Sequence, residues 1–342
     1  MIATQNGAER ILIIRISSAG DIILASPLVR MLRARFPDAT IDMVTAREFI
    51  LLVENAPYLN NVIALERSWG LRELVTFARG VVRSTGRYDV VVDIHGSLRS
   101  RVLRRLLGRS VVRIRKPTLR KGLLVWTGRN RLRPIVPIPL LYLEVVRGLD
   151  VVDDGLGLEV FIGDTTCPIA VDPHRKTWIL APGARHLTKA WPRERFARLA
   201  SLLASQDTRV ILLGGPEERA LCDEIALTSG APHMIVNLAG RTSFLEAASV
   251  IDQADIVVAN DSALAHMAIA RQKPTIVLFG STVQEFGFAP FRGNGIVVER
   301  TDVECRPCST IGREACPRGH FNCMRKIDVK DVMAAAARLQ KQ

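Results

Sequence analysis

Residues 256–282, IVVANDSALAHMAIARQKPTIVLFGST, constrain the fold more than any other stretch. Residues 256–259 are apolar and largely β-branched, which predicts a buried strand. Asn260, Asp261 and Ser262 stop that strand and carry side chains suited to capping a helix. The helix continues through Ala265, His266, Met267 and Ala270 and is ended by Pro274. Residues 275–279 form a second buried strand, closed by Gly280, Ser281 and Thr282. This is a βαβ unit, and both polar loops fall at carboxyl ends of its strands, where open parallel sheets bind ligands. A helix amino terminus there offers unpaired N–H groups and partial positive charge, which suits a phosphate. His266 lies five residues past Asp261, about one and a half turns into the helix. By itself the pair reads as a capping Asp and a helix His facing solvent or core.

The same alternation recurs along the chain. Residues 11–16 (ILIIRI) form a strand, Ser17, Ser18, Ala19, Gly20 and Asp21 a loop of small residues, and 22–36 a helix stopped by Pro37. Gly20 permits a tight turn or a close approach to a ligand. Asp21 stands where loop becomes helix, either as an N-cap or as a carboxylate presented at a crevice and able to act as a base. Strands over 39–44, 62–65 and 88–94 follow, with a helix over 71–85. The last strand ends in His95-Gly96-Ser97, whose His either touches a ligand or is solvated. Residues 151–173, with several Asp, Gly and Pro, read as a connector. Strands over 178–181, 208–213 and 234–238 and helices over 192–205, to about 228, and over 244–253 (capped by Thr242 or Ser243) then lead into the opening unit. The fold class is α/β, built on doubly wound parallel sheets.

A length of 342 residues accommodates two domains, and a formal charge of +13 calls for an anionic partner. Most of the excess lies in Arg99 to Arg133, which holds thirteen Arg and Lys, with no acidic residue between Asp93 and Glu144. Guanidinium forks match phosphate and carboxylate, and the interleaved apolar residues suit lipid headgroups. Trp126 is the single aromatic of the run, too few for a stacking platform, so nucleic acid is not expected as a partner. No apolar run reaches the ~18–20 residues of a membrane span, and MIATQNGAER lacks a basic-then-apolar leader pattern. A cytoplasmic location is expected, with the basic run against an anionic membrane surface. No Asp-x-Asp pair stands at a strand end, so no divalent metal requirement is expected. Cys305, Cys308, Cys316 and Cys323, with His320, are ligand types that zinc accepts. Their later spacings are not those of a common zinc ribbon, and they read as a reduced, locally packed cluster. Cys167 and Cys222 read as buried thiols.

Four segments read together: ISSAGDIILASPLV (16–29), PGARHLTKAWPRERFARL (182–199), LLGGPEE (212–218) and ANDSALAHMAIARQKPTIVLFGST (259–282). With the tail CRPCSTIGREACPRGHFNCMRKI (305–327), this ordered set resembles the bacterial family-nine glycosyltransferases, the lipopolysaccharide heptosyltransferases. The likeness runs from Ile11 to about Lys330. It implies the GT-B arrangement of two facing Rossmann-like domains: 1–165 binding the acceptor, 166–325 binding the nucleotide sugar, and 326–342 a carboxyl-terminal helix. It implies inverting transfer of L-glycero-D-manno-heptose from ADP-heptose to the Kdo/heptose inner core. The partners are then that donor and a phosphorylated Kdo-lipid A or heptosyl acceptor. Asp21 matches the general base, beside Ser17, Ser18 and Gly20, and Lys189 a donor-phosphate contact. Gly215 and Glu217 fall near the nucleoside ribose. Asp261, Ser262, Ala263, Leu264 and His266 match the heptose and diphosphate motif, with Ala263 where the family often has Gly. The cysteine spacing leans toward the second-heptose type. A nucleotide-sugar epimerase, a transferase of another donor sugar, and a non-enzymatic anion-binding module are the alternatives.

Overall fold

The computed structural model describes residues 8–170, 172 and 174–341; residues 1–7, read above for a leader, lie outside it, as do Val171 and Pro173 of the connector. The chain forms two compact units. The first holds the described residues up to Pro117 together with Ile138–Phe161, and the second holds Thr118–Pro137 and those from Ile162 on.

The first unit is built on a parallel sheet of β1 (Arg10–Ile14), β2 (Thr40–Ala46), β3 (Asn61–Leu65), β4 (Tyr88–Asp93) and β5 (Gly108–Arg113) in the order β3-β2-β1-β4-β5. Ile11, Leu12, Ile13 and Ile14 are fully buried, as a central strand covered on both faces requires. The winding reverses between β1 and β4, which makes their carboxyl ends the place where a crevice forms. The helix expected over 22–36 is two helices, Ala19–Ile23 and Ser26–Arg35. Pro27 has no N–H to continue the first and is suited to begin the second. Asp21 is not the N-cap. Ser18 holds that place, and Asp21 closes a capping box from the third helical position, accepting the Ser18 N–H at 3.3 Å.

The basic run is more than a solvated face. It folds as the helix Leu98–Leu107, then β5, then the helix Thr118–Thr127. Helix and β5 join with no loop because Gly108 has no side chain; a Cβ there would stand 2.6 Å from Val91 Cγ2. Arg104 turns inward and pairs with Asp93, Nη1 to Oδ2 at 2.8 Å. Asp93 also accepts the Ser100 hydroxyl at 3.0 Å and the N–H groups of His95 and Gly96 at 3.1 and 2.9 Å, so it shapes the loop after β4. Arg104→Ala would leave that carboxylate buried and unpaired, and a loss of about 3–5 kcal/mol in urea unfolding is expected. A loss below about 1 kcal/mol would show that the hydrogen bonds alone hold Asp93.

The second unit has β6 (Thr177–Ala181), β7 (Arg209–Leu212), β8 (Ile235–Asn237), β9 (Ile256–Asn260), β10 (Thr275–Phe279) and β11 (Gly295–Glu299), all parallel, in the order β11-β10-β9-β6-β7-β8. Its winding reverses between β6 and β9. The α/β class with two doubly wound sheets is therefore as expected. Two strands escape the periodicity argument, β5 and β11. Both lie at sheet edges, and their residues are half-buried or alternate with exposed ones, so neither shows an apolar run long enough to read as a buried strand.

The units do not simply part near residue 165. Residues 118–137 join the second, where Leu124 and Leu132 bury against Phe286. Lys121 Nζ donates to the Phe286 carbonyl at 3.0 Å and Asn130 Nδ2 to Glu285 Oε1 at 3.1 Å. The connector divides at Phe161 and Ile162, and its first part is clamped by Arg30, which pairs with Asp154 and Glu159 at 2.6 Å each. The carboxyl-terminal helix, Val329–Leu339, buries Val332, Ala336 and Leu339 in the second unit's core. Among the described residues no helix is long and apolar enough to cross a membrane.

Candidate active site

In the first unit Arg15, Asp21, His95 and Tyr142 gather at the reversal between β1 and β4. Arg15 follows β1, its side chain 5% exposed, and its Nη1 donates to the Ile94 carbonyl at 2.7 Å. Its Nη2 lies 2.6 Å from Asp21 Oδ2, which also accepts the Ser18 hydroxyl at 2.9 Å and the Ser18 N–H. Asp21 Oδ1 takes the Tyr142 hydroxyl at 3.3 Å. Three donors crowd Oδ2, while Oδ1 keeps lone-pair capacity for another proton. Burial alone would raise the Asp21 pKa, but Arg15 beside it and the two Ser18 donors outweigh burial and hold it below 3.8. Burial likewise pushes the Tyr142 phenol up, so it stays protonated and donates. Burial, with the charges of Arg15 and Lys116, pushes the His95 imidazole down to about 4, so it is neutral at pH 7. Arg15 Nε and His95 Nδ1 are buried without a hydrogen-bond partner. Ser17 is half-buried and Gly20 is buried within the short helix.

In the second unit the reversal lies between β6 and β9, and Lys189 and Asp261 follow those two strands. Lys189 ends the turn Leu187–Lys189, and its Nζ lies 2.6 Å from Asp261 Oδ2. Thr282, after β10, donates its hydroxyl to the same oxygen at 3.0 Å. Asn260 locks the arrangement: its Nδ2 donates to the Pro182 carbonyl at 2.7 Å and its Oδ1 accepts the Trp191 N–H at 3.0 Å. The capping role considered for Asp261 is therefore not the one it plays, since its carboxylate turns to Lys189 and Thr282. Ser262 holds the N-cap position of Ala263–Ala270 but makes no side-chain cap, and its hydroxyl is buried without a partner. The first N–H groups of that helix are thus uncapped beside a lysine. Ala263 and Leu264 are half-buried, and His266 is buried with its ring 6.4 Å from that of Phe288.

Gly215 and Glu217 lie one strand further out, after β7. Here the carboxylate woven into the structure is the neighbouring one. Glu218 Oε2 accepts the Gly215 N–H at 2.6 Å, and a Cβ at Gly183 would stand 2.6 Å from Glu218 Cγ. Glu217 is exposed.

The tail supports these loops from beneath. Arg306 donates Nε to the Gly280 carbonyl at 2.5 Å and Nη2 to the Thr282 carbonyl at 2.8 Å, and pairs with Glu299 at 2.6 Å. Thr188, next to Lys189, exchanges hydrogen bonds with Arg313 at 3.0 and 2.8 Å. Sequence reasoning missed Arg15, Tyr142 and Arg306, and gave Asn260 and Thr282 only a place in the polar loops. Arg15 had a signal, as the one charge in ILIIRI; Arg306 was masked by the cysteines on either side. Those cysteines are free, with Cys305 Sγ 3.7 Å from His320 Nε2. Burial pushes the Cys323 thiol up to about 11. Among the described residues, no three His, Cys, Asp or Glu side chains are arranged to hold a metal ion.

Residues 82–316 match the family described as Glycosyltransferase family 9 (heptosyltransferase). The chain is 27% identical over 285 residues to lipopolysaccharide heptosyltransferase 3 of Escherichia coli, covering 78% of this chain and 81% of that protein. It is 27% identical over 303 residues to lipooligosaccharide heptosyltransferase 2 of Haemophilus influenzae, covering 81% and 84%. A solved structure described as E. coli ADP-heptose LPS heptosyltransferase II matches with a TM-score of 0.76 at 23% identity, over 96% of this chain and 98% of that one.

Proposed function

The chain belongs to glycosyltransferase family 9, and we propose that it moves L-glycero-D-manno-heptose from ADP-heptose to the Kdo/heptose inner core of lipopolysaccharide. Membership makes it a heptosyltransferase of lipopolysaccharide core synthesis. The reading of donor and acceptor rests on the chemistry of each unit. In the first, which takes the acceptor, the observation that carries the reading is Asp21: ionised, held by Arg15 and Ser18 through Oδ2, and with a lone pair left on Oδ1 beside the Tyr142 hydroxyl. Oδ1 accepts the acceptor hydroxyl's proton as that oxygen bonds to the anomeric carbon, on the face opposite the diphosphate. The bond to the diphosphate breaks and its electron pair leaves with ADP. In the second unit, Lys189 and the uncapped N–H groups at Ser262, Ala263 and Leu264 meet the growing charge on that leaving group. Asp261 and His266 border the heptose, and Gly215 and Glu217 the nucleoside. The acceptor is a phosphorylated, membrane-borne lipid, and the basic run from Arg99 to Arg133 touches the anionic cytoplasmic face of the inner membrane.

The test is incubation with ADP-heptose and either Kdo-lipid A or its heptosylated form. Release of ADP and a gain of one heptose on an acceptor are expected. ADP-heptose left intact with every acceptor would overturn the reading, and inversion of a sugar hydroxyl without any acceptor would replace it with the epimerase.

A further inference from the structure

The helix Thr118–Thr127 is apolar on two opposite faces. One face is docked: Leu124 is buried with Leu132 and Phe286, and Lys121 Nζ lies over the rings of Phe286 and Phe288 at 5.2 and 5.1 Å. On the other, Leu119 is 91% and Trp126 89% exposed. Seven residues make nearly two turns, so these side chains stand on one line, with half-buried Leu123 between them. A single exposed Leu is ordinary. A Leu and a Trp together, followed in the same excursion by Ile135 and Val136 at 46% and 47% exposure, make an apolar surface that calls for a partner. Its charge says which. Residues 118–137 carry Arg120, Lys121, Arg129, Arg131 and Arg133 and no carboxylate, and all four arginines are exposed.

We propose that this excursion is the element that seats the protein on an anionic phospholipid bilayer. Trp126 and Leu119 enter the boundary between headgroups and acyl chains, and the arginines pair with lipid phosphates. This deepens the membrane contact stated above and rests on it, narrowing the contact from 99–133 to 118–137. A tryptophan ring is amphipathic and settles at headgroup depth. Arginine forks match phosphate oxygens, and a basic amphipathic surface gains from both apolar burial and anionic lipid. A second copy of the chain is a poor occupant, because two such faces would bring eight exposed arginines together. Single-stranded nucleic acid would find one stacking ring and no use for Leu119.

The experiment is flotation with vesicles of phosphatidylethanolamine containing phosphatidylglycerol, beside vesicles of phosphatidylcholine alone. Wild type should float with the anionic vesicles, and its tryptophan emission should shift to the blue, a shift absent in Trp126→Phe. The double variant Leu119→Ser/Trp126→Ser and the triple variant Arg129→Gln/Arg131→Gln/Arg133→Gln should each bind at least about tenfold more weakly. Because both apolar positions are exposed, the double variant should keep the wild-type circular dichroism. Its ADP release with a deacylated, water-soluble acceptor should also be unchanged. Equal flotation of wild type and the double variant would overturn the proposal. So would a concentration-dependent blue shift without vesicles, which would point to a second copy, or tighter binding to single-stranded DNA than to vesicles. A loss of turnover on the soluble acceptor would place this face in the active site instead, and overturn it too. Vesicle binding needs neither donor nor acceptor, so its failure leaves heptosyl transfer standing, and the failure of transfer leaves the flotation result intact.

Discussion

Replacing Asp21 by Asn is expected to cut turnover by roughly 10²- to 10⁴-fold, the usual contribution of a positioned general base. The amide keeps the size of the carboxylate but cannot take a proton at Oδ1. Donor affinity should stay within about twofold, because Asp21 belongs to the first unit and the Lys189–Asp261 pair to the second. The pH dependence gives an independent check. Burial would raise this pKa, but Arg15 and Ser18 hold it below 3.8, so the carboxylate is ionised across the neutral range. The acid limb of turnover due to Asp21 should therefore fall below the ordinary carboxylate value. The stability sign follows the same direction. A depressed folded pKa contributes stability that is present above the unfolded value and lost as pH falls through the folded one. The stability gap between wild type and Asp21→Asn should thus narrow as the medium is acidified through that range. Thermal unfolding and steady-state rates across pH would measure both. Turnover retained by the Asn variant would refute the assignment, and an acid limb near neutrality that vanishes with Asp21 would refute the lowered pKa while leaving Asp21 as the titrating base.

Lys189→Ala should lower kcat by roughly 10²- to 10³-fold, as loss of a preorganised positive group at a developing negative charge does. It should also raise the donor KM, because Asp261, its side chain 6% exposed, is left as an uncompensated carboxylate beside the position proposed for the diphosphate. Breaking one side of such a pair costs about 3–5 kcal/mol of stability. The double variant Lys189→Ala/Asp261→Asn separates the two consequences. Removing the stranded charge should restore most of the stability while turnover stays low, since the positive group is still missing. A single variant with kcat within about tenfold of wild type would leave the helix N–H groups as the main support of the leaving diphosphate and would sink the role given to Lys189. Recovery of turnover along with stability in the double variant would make the lysine a structural counter-ion only.

The parts of the fold that show in the primary structure are those where a local pattern suffices. Ile11–Ile14 and Ile256–Ala259 are continuous apolar runs because central parallel strands are covered on both faces, and composition alone reports that. Polar loops directly after such runs identify Asp21, Lys189 and Asp261 as residues at strand ends. β5 and β11 do not show, because GRSVVR and GIVVE hold only two or three apolar residues in a row between glycine, serine or charged residues, too few to read as a buried strand. The break at Leu24 and Ala25 was legible in Ser26-Pro27 yet overridden by helical spacing on either side.

By itself, then, the order of residues determined the α/β class, the two series of strands and helices, and which loops stand at strand ends. Each of these follows from turn chemistry and from periodicities a few residues long. Only tertiary structure decided which side chains meet. Arg15 and Tyr142 converge on Asp21, Thr282 and Lys189 share one oxygen of Asp261, and Arg306 steadies the loop that presents Thr282. Residues 118–137 likewise leave the fold that precedes them for a surface around Phe286. The physical reason is common to all of these. A buried charge needs a partner and an apolar face needs cover, and both are supplied by whatever the packed sheets bring within a few ångströms, at separations along the chain that no local pattern records.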